Sequence, residues 1–117
     1  MKIVILGGGQ VGGTLAESLA NEQIDITIVD RDNARLRALQ DRLDIATVGG
    51  HAAHPDVLLK AGIEDADMLV AVTGSDEINM IACQIAHSIY RTQTKICRIR
   101  ANSYADHKAL FCDDAIP

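Results

Sequence analysis

The sequence has few aromatic residues, no excess of basic residues and no long apolar run. Aromatic residues make up 3% of its 117 residues, too few for a surface that stacks RNA bases. The net charge of −5 argues against general DNA binding, which depends on lysine and arginine neutralising phosphates. Apolar runs such as 3–6 and 68–72 end after four or five residues, far short of a membrane span. We therefore expect a cytoplasmic protein with an aliphatic core, no nucleic-acid partner and no direct insertion into lipid.

Cysteine is also scarce, and its spacing favours neither a disulfide framework nor a metal centre. The chain has three cysteines, Cys83, Cys97 and Cys112, with intervals of 14 and 15 residues. The odd count and the absence of a C-x-x-C pair predict reduced thiols. His51 with His54, and Cys83 with His87, are too few to supply the three or four converging ligands of a metal site. We therefore predict that no metal is bound.

Short β-branched runs alternate with helical patterns, which is typical of parallel strands joined by helical crossovers. The predicted strands are 3–6, 24–29, 45–48, 68–72, 95–100 and 114–116. The predicted helices are 11–21, one capped by Asp32 or Asn33, one from Pro55 that Gly62 closes, one from Ser75 or Asp76 to about Tyr90, and 103–110. Because no linker or repeat interrupts the chain, we predict one domain over 1–117. Its fold is expected to be α/β, a Rossmann-type, doubly wound, parallel six-stranded sheet.

Two of the predicted helices carry apolar residues at helical spacing, which identifies the faces expected to pack on the sheet. In the first helix these residues are Val11, Leu15 and Leu19. In the longest helix they are Ile78, Ile81, Ala82, Ile85 and Ile89.

Residues 7–12, GGGQVG, match the pattern G-x-G-x-x-G between a predicted strand and a predicted helix, where the pattern indicates dinucleotide binding. Gly7 permits a tight turn, Gly9 lets the backbone approach a pyrophosphate, and Gly12 lets helix and strand pack closely. Free N–H groups at the helix start attract phosphate. The candidate cofactor-binding residues are Gly7, Gly8, Gly9, Gln10, Val11 and Gly12. The alternative is a glycine-rich turn with no ligand.

Asp30 ends the second predicted strand, 18 residues after Gly12. A carboxylate there can accept hydrogen bonds from ribose hydroxyls and repel a 2′-phosphate, which favours NAD(H) over NADP(H). Arg31 weakens that exclusion, because a guanidinium can pair with such a phosphate or stack on adenine. Asp30 as a helix cap is the alternative, although Asp32 already supplies one.

Two further strand ends should line the same crevice, since ligands bind at the carboxyl ends of parallel strands. They are residues 49–55, GGHAAHP, after the third strand and residues 73–77, TGSDE, after the fourth. Thr73 and Gly74 follow the fourth strand and suit close approach of a ligand. Arg98 and Arg100 share a face of the fifth predicted strand with Ile96, where a partly buried cation needs an anion such as a dinucleotide phosphate. The alternative is an ion pair with Asp76, Glu77 or Asp106.

Five stretches are specific in combination: K-I-V-I-L-G-G-G-Q-V-G-G-T-L-A, I-T-I-V-D, V-G-G-H-A-A-H-P, A-D-M-L-V-A-V-T-G-S-D-E-I-N-M and R-I-R-A. Together they resemble the RCK domain, also called KTN, over nearly the whole chain. The resemblance implies a domain at the inner face of the cell membrane that gates a potassium-translocating membrane protein of the Trk type. It further implies NAD(H) as ligand, with ATP or ADP in the same site, and assembly as dimers or rings of dimers.

The resemblance also assigns dinucleotide contacts, which fall on Gly7 to Val11, Asp30, Thr73, Gly74 and Arg98. His51 departs from the family, because many relatives have aspartate there, in a G-D-A-T block that helps to hold adenosine. RCK-containing chains continue into further domains, so we expect this one to be a domain or fragment of a longer protein. Apolar residues near the end, Tyr104, Leu110, Phe111 and Ile116, are expected to support dimerisation.

These observations favour a ligand-sensing binding module over an enzyme, since no nucleophile elbow, Ser-His-Asp order or catalytic lysine motif is present. One alternative is the cofactor-binding half of an NAD-dependent oxidoreductase whose catalytic domain lies elsewhere. Another is a structural dimerisation domain with a vestigial pocket.

Overall fold

The structure is a computed structural model, and it describes residues 1–21 and 23–105. Strands and helices alternate through this part of the chain. The strands are β1 (Lys2–Leu6), β2 (Asp25–Asp30), β3 (Ala46–Gly49), β4 (Met68–Ala71) and β5 (Thr94–Cys97). The helices are α1 (Gln10–Leu19), α2 (Asn33–Arg42), α3 (Pro55–Lys60), α4 (Asp76–Ser88) and α5 (Asn102–Ala105), and a 3-10 turn, Ile63–Asp65, precedes β4.

The strands form one parallel sheet in the order β3-β2-β1-β4-β5. The chain runs outward from β1 to β3 and then returns to β4 on the other side of β1. In an open α/β sheet, ligands bind where the strand order reverses, outside the carboxyl ends of the strands. The topology therefore places the expected binding crevice between β1 and β4.

Side chains alternate between the two faces of the central strand and build a core on each face. Ile3 and Ile5 pack with residues of α1 and α2, whereas Val4 and Leu6 pack with residues of α3 and α4. All four side chains are almost completely buried. Burial of an aliphatic side chain contributes about 1.5–3 kcal/mol, so β1 stabilises both layers of helices.

The observed sheet confirms the predicted Rossmann-type, doubly wound fold, with five strands in the described part. The predicted strand 114–116 and most of the predicted helix 103–110 lie outside the described residues, as do Leu110, Phe111 and Ile116. The predicted helix caps are confirmed. Asp32 accepts hydrogen bonds from the N–H groups of Ala34 and Arg35, and Ser75 accepts one from Ile78. Within the described residues, no helix is long and apolar enough to cross a membrane.

The predicted inner faces of α1 and α4 are partly wrong. Val11, in the first turn of α1, is 43% exposed. In α4, Ala82 is buried and Ile78 and Ile85 pack against the core, as predicted, but the fully buried side chains also include Asn79, Cys83 and Ala86. That choice of face rotates Ile81 and Ile89 into solvent, where they are half exposed or more.

The fifth strand is shorter than the predicted range 95–100, and Arg98 and Arg100 lie beyond its end. Strand β4 ends at Ala71, which pairs with Cys97, so no ladder partner remains past Arg98. The carboxylate of Asp76 then accepts the backbone N–H groups of Arg100 and Ala101, at 2.9 and 2.8 Å. These two bonds direct the backbone away from the sheet and towards the start of α4.

Candidate functional site

A cavity of about 470 Å³ opens at the carboxyl ends of the strands. Every strand end contributes to its lining. The lining residues are Gly7, Gly9, Gln10, Val11, Val29, Asp30, Arg31, Arg35, Gly50, Ala52, Val72, Thr73, Gly74, Ser75, Ile78, Arg98 and Arg100. Except for Gly8 and Gly12, all the candidate site residues identified in the sequence lie in this lining, and their role towards a nucleotide stays a prediction.

The turn after β1 depends on glycine for conformation and for space. Gly7 has a φ of +107°, and a Cβ there would lie 2.9 Å from the carbonyl oxygen of Val72. A Cβ on Gly12 would collide with the carbonyl oxygen of Gly7, so helix α1 can pack this closely only with glycine at that position. Gly12 therefore allows helix α1 to pack closely against the end of β1, as predicted, and it does not face the cavity.

Asp30 is tied into this turn by its own chain. Its Oδ2 accepts the backbone N–H of Gly8 at 2.6 Å, and its Oδ1 accepts that of Asp32 at 2.8 Å. The guanidinium of Arg35 lies 3.4 Å from Oδ2. Burial raises the pKa of the Asp30 carboxyl, but the hydrogen bonds from Asp32 and Gly8 and the charge of Arg35 lower it by more. The carboxyl is therefore ionised at neutral pH.

These bonds leave Asp30 less capacity than the sequence predicted. A carboxylate has about four acceptor positions, and three donors of the chain already approach this one. Gly8, whose N–H is bound to Asp30, is not part of the cavity lining.

Arg35 is a site residue that the sequence interpretation missed. It belongs to the first turn of α2, and its side chain lies over the glycine turn, with Nη1 3.7 Å from the Cβ position of Gly9. The sequence did contain one indication, which is that Arg35 lies five residues after Asp30. A side chain in the first turn of the helix that follows a strand can reach the acidic residue at the end of that strand.

Arg98 places a second guanidinium at the opposite wall. Its Nη2 donates to the backbone oxygens of Val72 at 3.0 Å and Thr73 at 2.7 Å. Its Nε is buried and has no hydrogen-bond partner within the described part of the chain. Within the described residues, the hydrogen bonds of this guanidinium go to two carbonyl oxygens and leave its Nε–H unpaired.

No carboxylate of the described residues lies within ion-pair distance of Arg98. The ion pairs found there are Arg35–Asp30 and Arg42–Glu17. The predicted alternative, an ion pair with Asp76 or Glu77, is therefore wrong for the described residues, and Asp106 lies outside them. Asp76 instead binds the backbone N–H groups of Arg100 and Ala101, which, with the charges of Arg100 and Arg98, lowers its pKa.

The cavity is cationic although the chain is acidic. Arg31, Arg35, Arg98 and Arg100 line it, and Asp30 is the acidic residue among the lining. Cationic side chains gathered in a cleft attract anions and raise their local concentration. The arrangement suits a ligand that combines negative charge with hydroxyl groups.

The segment after β3 contributes through Gly50 and Ala52, whereas His51 between them is not in the lining. Nδ1 of His51 accepts the N–H of Ala53 at 3.1 Å, and its ring stacks on that of His54 with centroids 4.4 Å apart. The described residues include no group of three or more histidine, cysteine, aspartate or glutamate side chains placed to hold a metal ion.

Comparisons with known proteins place this architecture in context. The sequence profile of the TrkA-N domain family matches residues 3–114. A relative from Halomonas elongata, the Trk system potassium uptake protein TrkA, is 62% identical over 117 residues. The alignment covers 100% of this chain and 26% of the relative, so the chain spans about a quarter of that protein's length.

Two solved structures share the fold. The TrkA-N domain of the inner membrane protein ybaL from Escherichia coli has a TM-score of 0.83 at 20% identity, covering 97% of this chain and 82% of that one. The Shewanella denitrificans Kef CTD in its AMP-bound form has a TM-score of 0.77 at 24% identity, covering 93% of this chain and 65% of that one. At these identities the likeness shows the fold alone.

Proposed function

This chain belongs to the TrkA-N domain family, and on that premise we propose that it is the NAD(H)-binding regulatory domain of a Trk-type potassium uptake system. The observation that carries the proposal is the cavity at the strand ends. It combines a glycine turn, an ionised carboxylate and a guanidinium without a carboxylate partner among the described residues. A ribose linked to phosphate offers the hydroxyls and the negative charge that complement these groups.

The residues present fit a dinucleotide. Gly9 caps α1 without a side-chain hydrogen bond, so the first N–H groups of the helix, at Gln10 and Val11, are available to a phosphate. Asp30 retains acceptor capacity for a ribose hydroxyl. A Cβ on Gly74 would meet no atom within 4 Å, so the space above Gly74 is open to a ligand.

Arg98 completes this set as the partner of the phosphates. Its guanidinium has no carboxylate partner within the described residues, and phosphate oxygens are strong acceptors for guanidinium groups. ATP or ADP would occupy the same site through the same ribose and phosphate contacts. AMP in the Kef CTD supports a nucleotide as the kind of ligand that this fold holds.

We further propose that the domain performs no chemistry. The titratable groups in the cavity lining are Asp30 and arginines, and Asp30 is held by three donors of its own chain. No lining residue is therefore poised to move a proton at a substrate carbon. An NAD-dependent oxidoreductase would need such a group from another domain.

The partners follow from the family and stay part of the proposal. The domain acts at the cytoplasmic face of the membrane, where it binds a potassium-translocating membrane protein and assembles as dimers or rings of dimers. Nucleotide binding would change the contacts that the assembly makes with its membrane partner.

Isothermal titration calorimetry with NADH, NAD⁺, ATP and ADP tests the binding proposal. We expect saturable binding by the wild type and by Arg42→Gln, which removes an exposed guanidinium outside the cavity. Arg98→Gln removes the same charge inside the cavity and should weaken binding by about 10- to 150-fold, as expected for a hydrogen bond to a charged group. The proposal fails if none of the four nucleotides binds to the wild type. Saturable NADH oxidation with a panel of ketones and aldehydes would instead favour the oxidoreductase.

A further inference from the structure

Asn79 is a fully buried polar side chain, 0% exposed, on the sheet-facing side of α4. Its Oδ1 accepts hydrogen bonds from the backbone N–H of Thr73 at 2.9 Å and from the Thr73 hydroxyl at 2.6 Å. Its Nδ2 donates to the backbone oxygens of Thr73 at 3.3 Å and Arg98 at 3.0 Å. A primary amide has two donors and two acceptor positions, so every one of them is used.

The partners of Asn79 line the cavity, although Asn79 itself does not. Thr73 follows β4 and Arg98 follows β5, beyond the residues that the strand ladder joins. The last backbone bond between the two strand ends runs from the Arg98 N–H to the oxygen of Ala71. Beyond that bond, the amide of Asn79 joins the two segments instead, because it binds both Thr73 and Arg98.

The same three residues form a closed ring of hydrogen bonds. Arg98 Nη2 donates to the oxygen of Thr73, Asn79 Nδ2 donates to the same oxygen, and Asn79 also holds the backbone of Arg98. The guanidinium position therefore depends on the Asn79 amide at both ends of the arginine. Because all the donors and acceptors of the buried Asn79 amide are used, the amide favours one arrangement of these groups.

We propose that Asn79 is a positioning residue of the nucleotide site, which fixes Thr73 and Arg98 so that both face the ligand. This inference rests on the proposed function of the cavity. Asn79 does not touch the ligand, and it acts through the two residues that do. An apolar side chain at position 79 would leave the N–H of Thr73 and the carbonyl oxygen of Arg98 without their hydrogen-bond partners.

The test compares Asn79→Asp and Asn79→Ala with Met80→Ala, a control at a buried neighbour in α4 that does not line the cavity. Asn79→Asp keeps the acceptor for Thr73 but sets a carboxylate oxygen against two carbonyl oxygens. At temperatures where all variants are folded by circular dichroism, both Asn79 variants should bind NADH about 10- to 100-fold more weakly than the wild type. Met80→Ala should lose thermal stability and keep the wild-type affinity.

The pH profile separates positioning from a general loss of stability. Burial favours the protonated form of a carboxyl at position 79, and that form regains one donor for a carbonyl. The NADH affinity of Asn79→Asp, divided by that of the wild type at the same pH, should therefore recover as the pH falls from about 8 towards 5.5. Asn79→Ala has no such group, and its ratio should stay constant.

The outcomes distinguish this inference from the proposed function. If the wild type binds no nucleotide, the proposed function fails and the inference falls with it. If the wild type binds and the folded Asn79 variants bind within twofold of it, Asn79 is only a structural residue and the inference alone is overturned. If Asn79→Asp does not fold, the NADH affinity of Asn79→Ala compared with that of Met80→Ala tests the inference.

Discussion

Asp30 shows how one side chain serves both the fold and the candidate site. Its two oxygens hold the N–H groups of Gly8 and Asp32, and the remaining capacity is what a ribose would use. Truncation to alanine therefore leaves the Gly8 N–H without its partner in a partly buried turn, at a cost of about 1–3 kcal/mol. Asparagine at this position is the better probe of binding, because it keeps one acceptor oxygen and removes the charge.

Asp30→Asn should reduce affinity for NADH and reduce the preference for NADH over NADPH. The charge-assisted hydrogen bond to ribose is worth roughly 1.5–3 kcal/mol, which predicts binding about 10- to 150-fold weaker. Removing the carboxylate also frees the Arg35 guanidinium for a 2′-phosphate, so NADPH should lose less than NADH. Calorimetric titration of both cofactors measures the two affinities.

The double variant Asp30→Asn/Arg35→Ala is the control for that explanation. It lacks the cation as well, so the relative gain for NADPH should disappear. Unchanged NADH affinity together with an unchanged preference in Asp30→Asn would show that Asp30 does not bind the ribose.

At the level of single residues, the sequence predicted which residues lie at the candidate site, but it did not predict the hydrogen bonds between them. G-x-G-x-x-G and the strand-end acid were sufficient to predict the turn and the position of Asp30. The bond between Gly8 and Asp30 joins residues 22 apart in sequence, and no local pattern encodes it. Arg35 was missed for the same reason, since its role depends on how α2 packs over the glycine turn.

Among the elements, the loops that follow β1 and β4 use glycine for opposite reasons. Gly12 is required because the carbonyl oxygen of Gly7 occupies the space of a Cβ, so the protein itself excludes a larger residue. At Gly74 the space is open, so only a ligand would exclude one. Substitutions at Gly12 and Gly74 can therefore distinguish a glycine that folding requires from a glycine that ligand binding requires.

Gly74→Ala should leave thermal stability unchanged and weaken nucleotide binding, because the new methyl group enters the cavity. Gly12→Ala should destabilise the fold by about 1–3 kcal/mol, the usual cost of overpacking, despite the gain of roughly 1 kcal/mol in helix propensity. Urea unfolding and NADH titration of both variants provide the measurements. Equal loss of stability in the two variants would contradict this separation.

The alternation of β-branched runs with helical spacing was sufficient to predict which strands and helices form. It did not predict where β5 ends or which face of α4 packs on the sheet. The strand ends early because β4 offers no ladder partner past Arg98. The carboxylate of Asp76, a residue of a different element, then binds the N–H groups of Arg100 and Ala101. The rotation of α4 places Asn79 inward, where it binds the segments after β4 and β5. Ile78 and Ile85 pack on that face, whereas Ile81 and Ile89 do not. Both effects depend on contacts between elements, which periodicity within one element does not contain.

For the molecule as a whole, the carboxylates that accept backbone N–H groups should make the free energy of unfolding depend on pH. The pKa values of Asp30 and Asp76 both lie below the ordinary value. A lowered pKa in the folded state contributes stability that is present above the unfolded value of about 3.9 and is lost as pH falls through the folded value. The protein should therefore become progressively easier to unfold below about pH 4.

Asp76→Asn should lower stability at neutral pH and flatten this acid dependence, since asparagine carries no titrating group. Asp41→Asn, at an exposed position of α2, removes the same charge and should leave the acid dependence close to that of the wild type. Urea midpoints measured between about pH 2.5 and 6 test both expectations. An Asp76→Asn curve parallel to that of the wild type would contradict the role assigned to this carboxylate.

The strand order also has a consequence for the timing of assembly. The glycine turn and Asp30 belong to residues that leave the ribosome first, and Thr73 and Arg98 to residues that follow after β4. The two groups are brought together by the ladder in which Ile3–Leu6 pairs with Met68–Ala71. Until that ladder closes, one edge of β1 is unpaired and the cavity has one wall. A nucleotide that touches both walls would therefore bind only to chains that have finished this step, and it would hold early and late segments together.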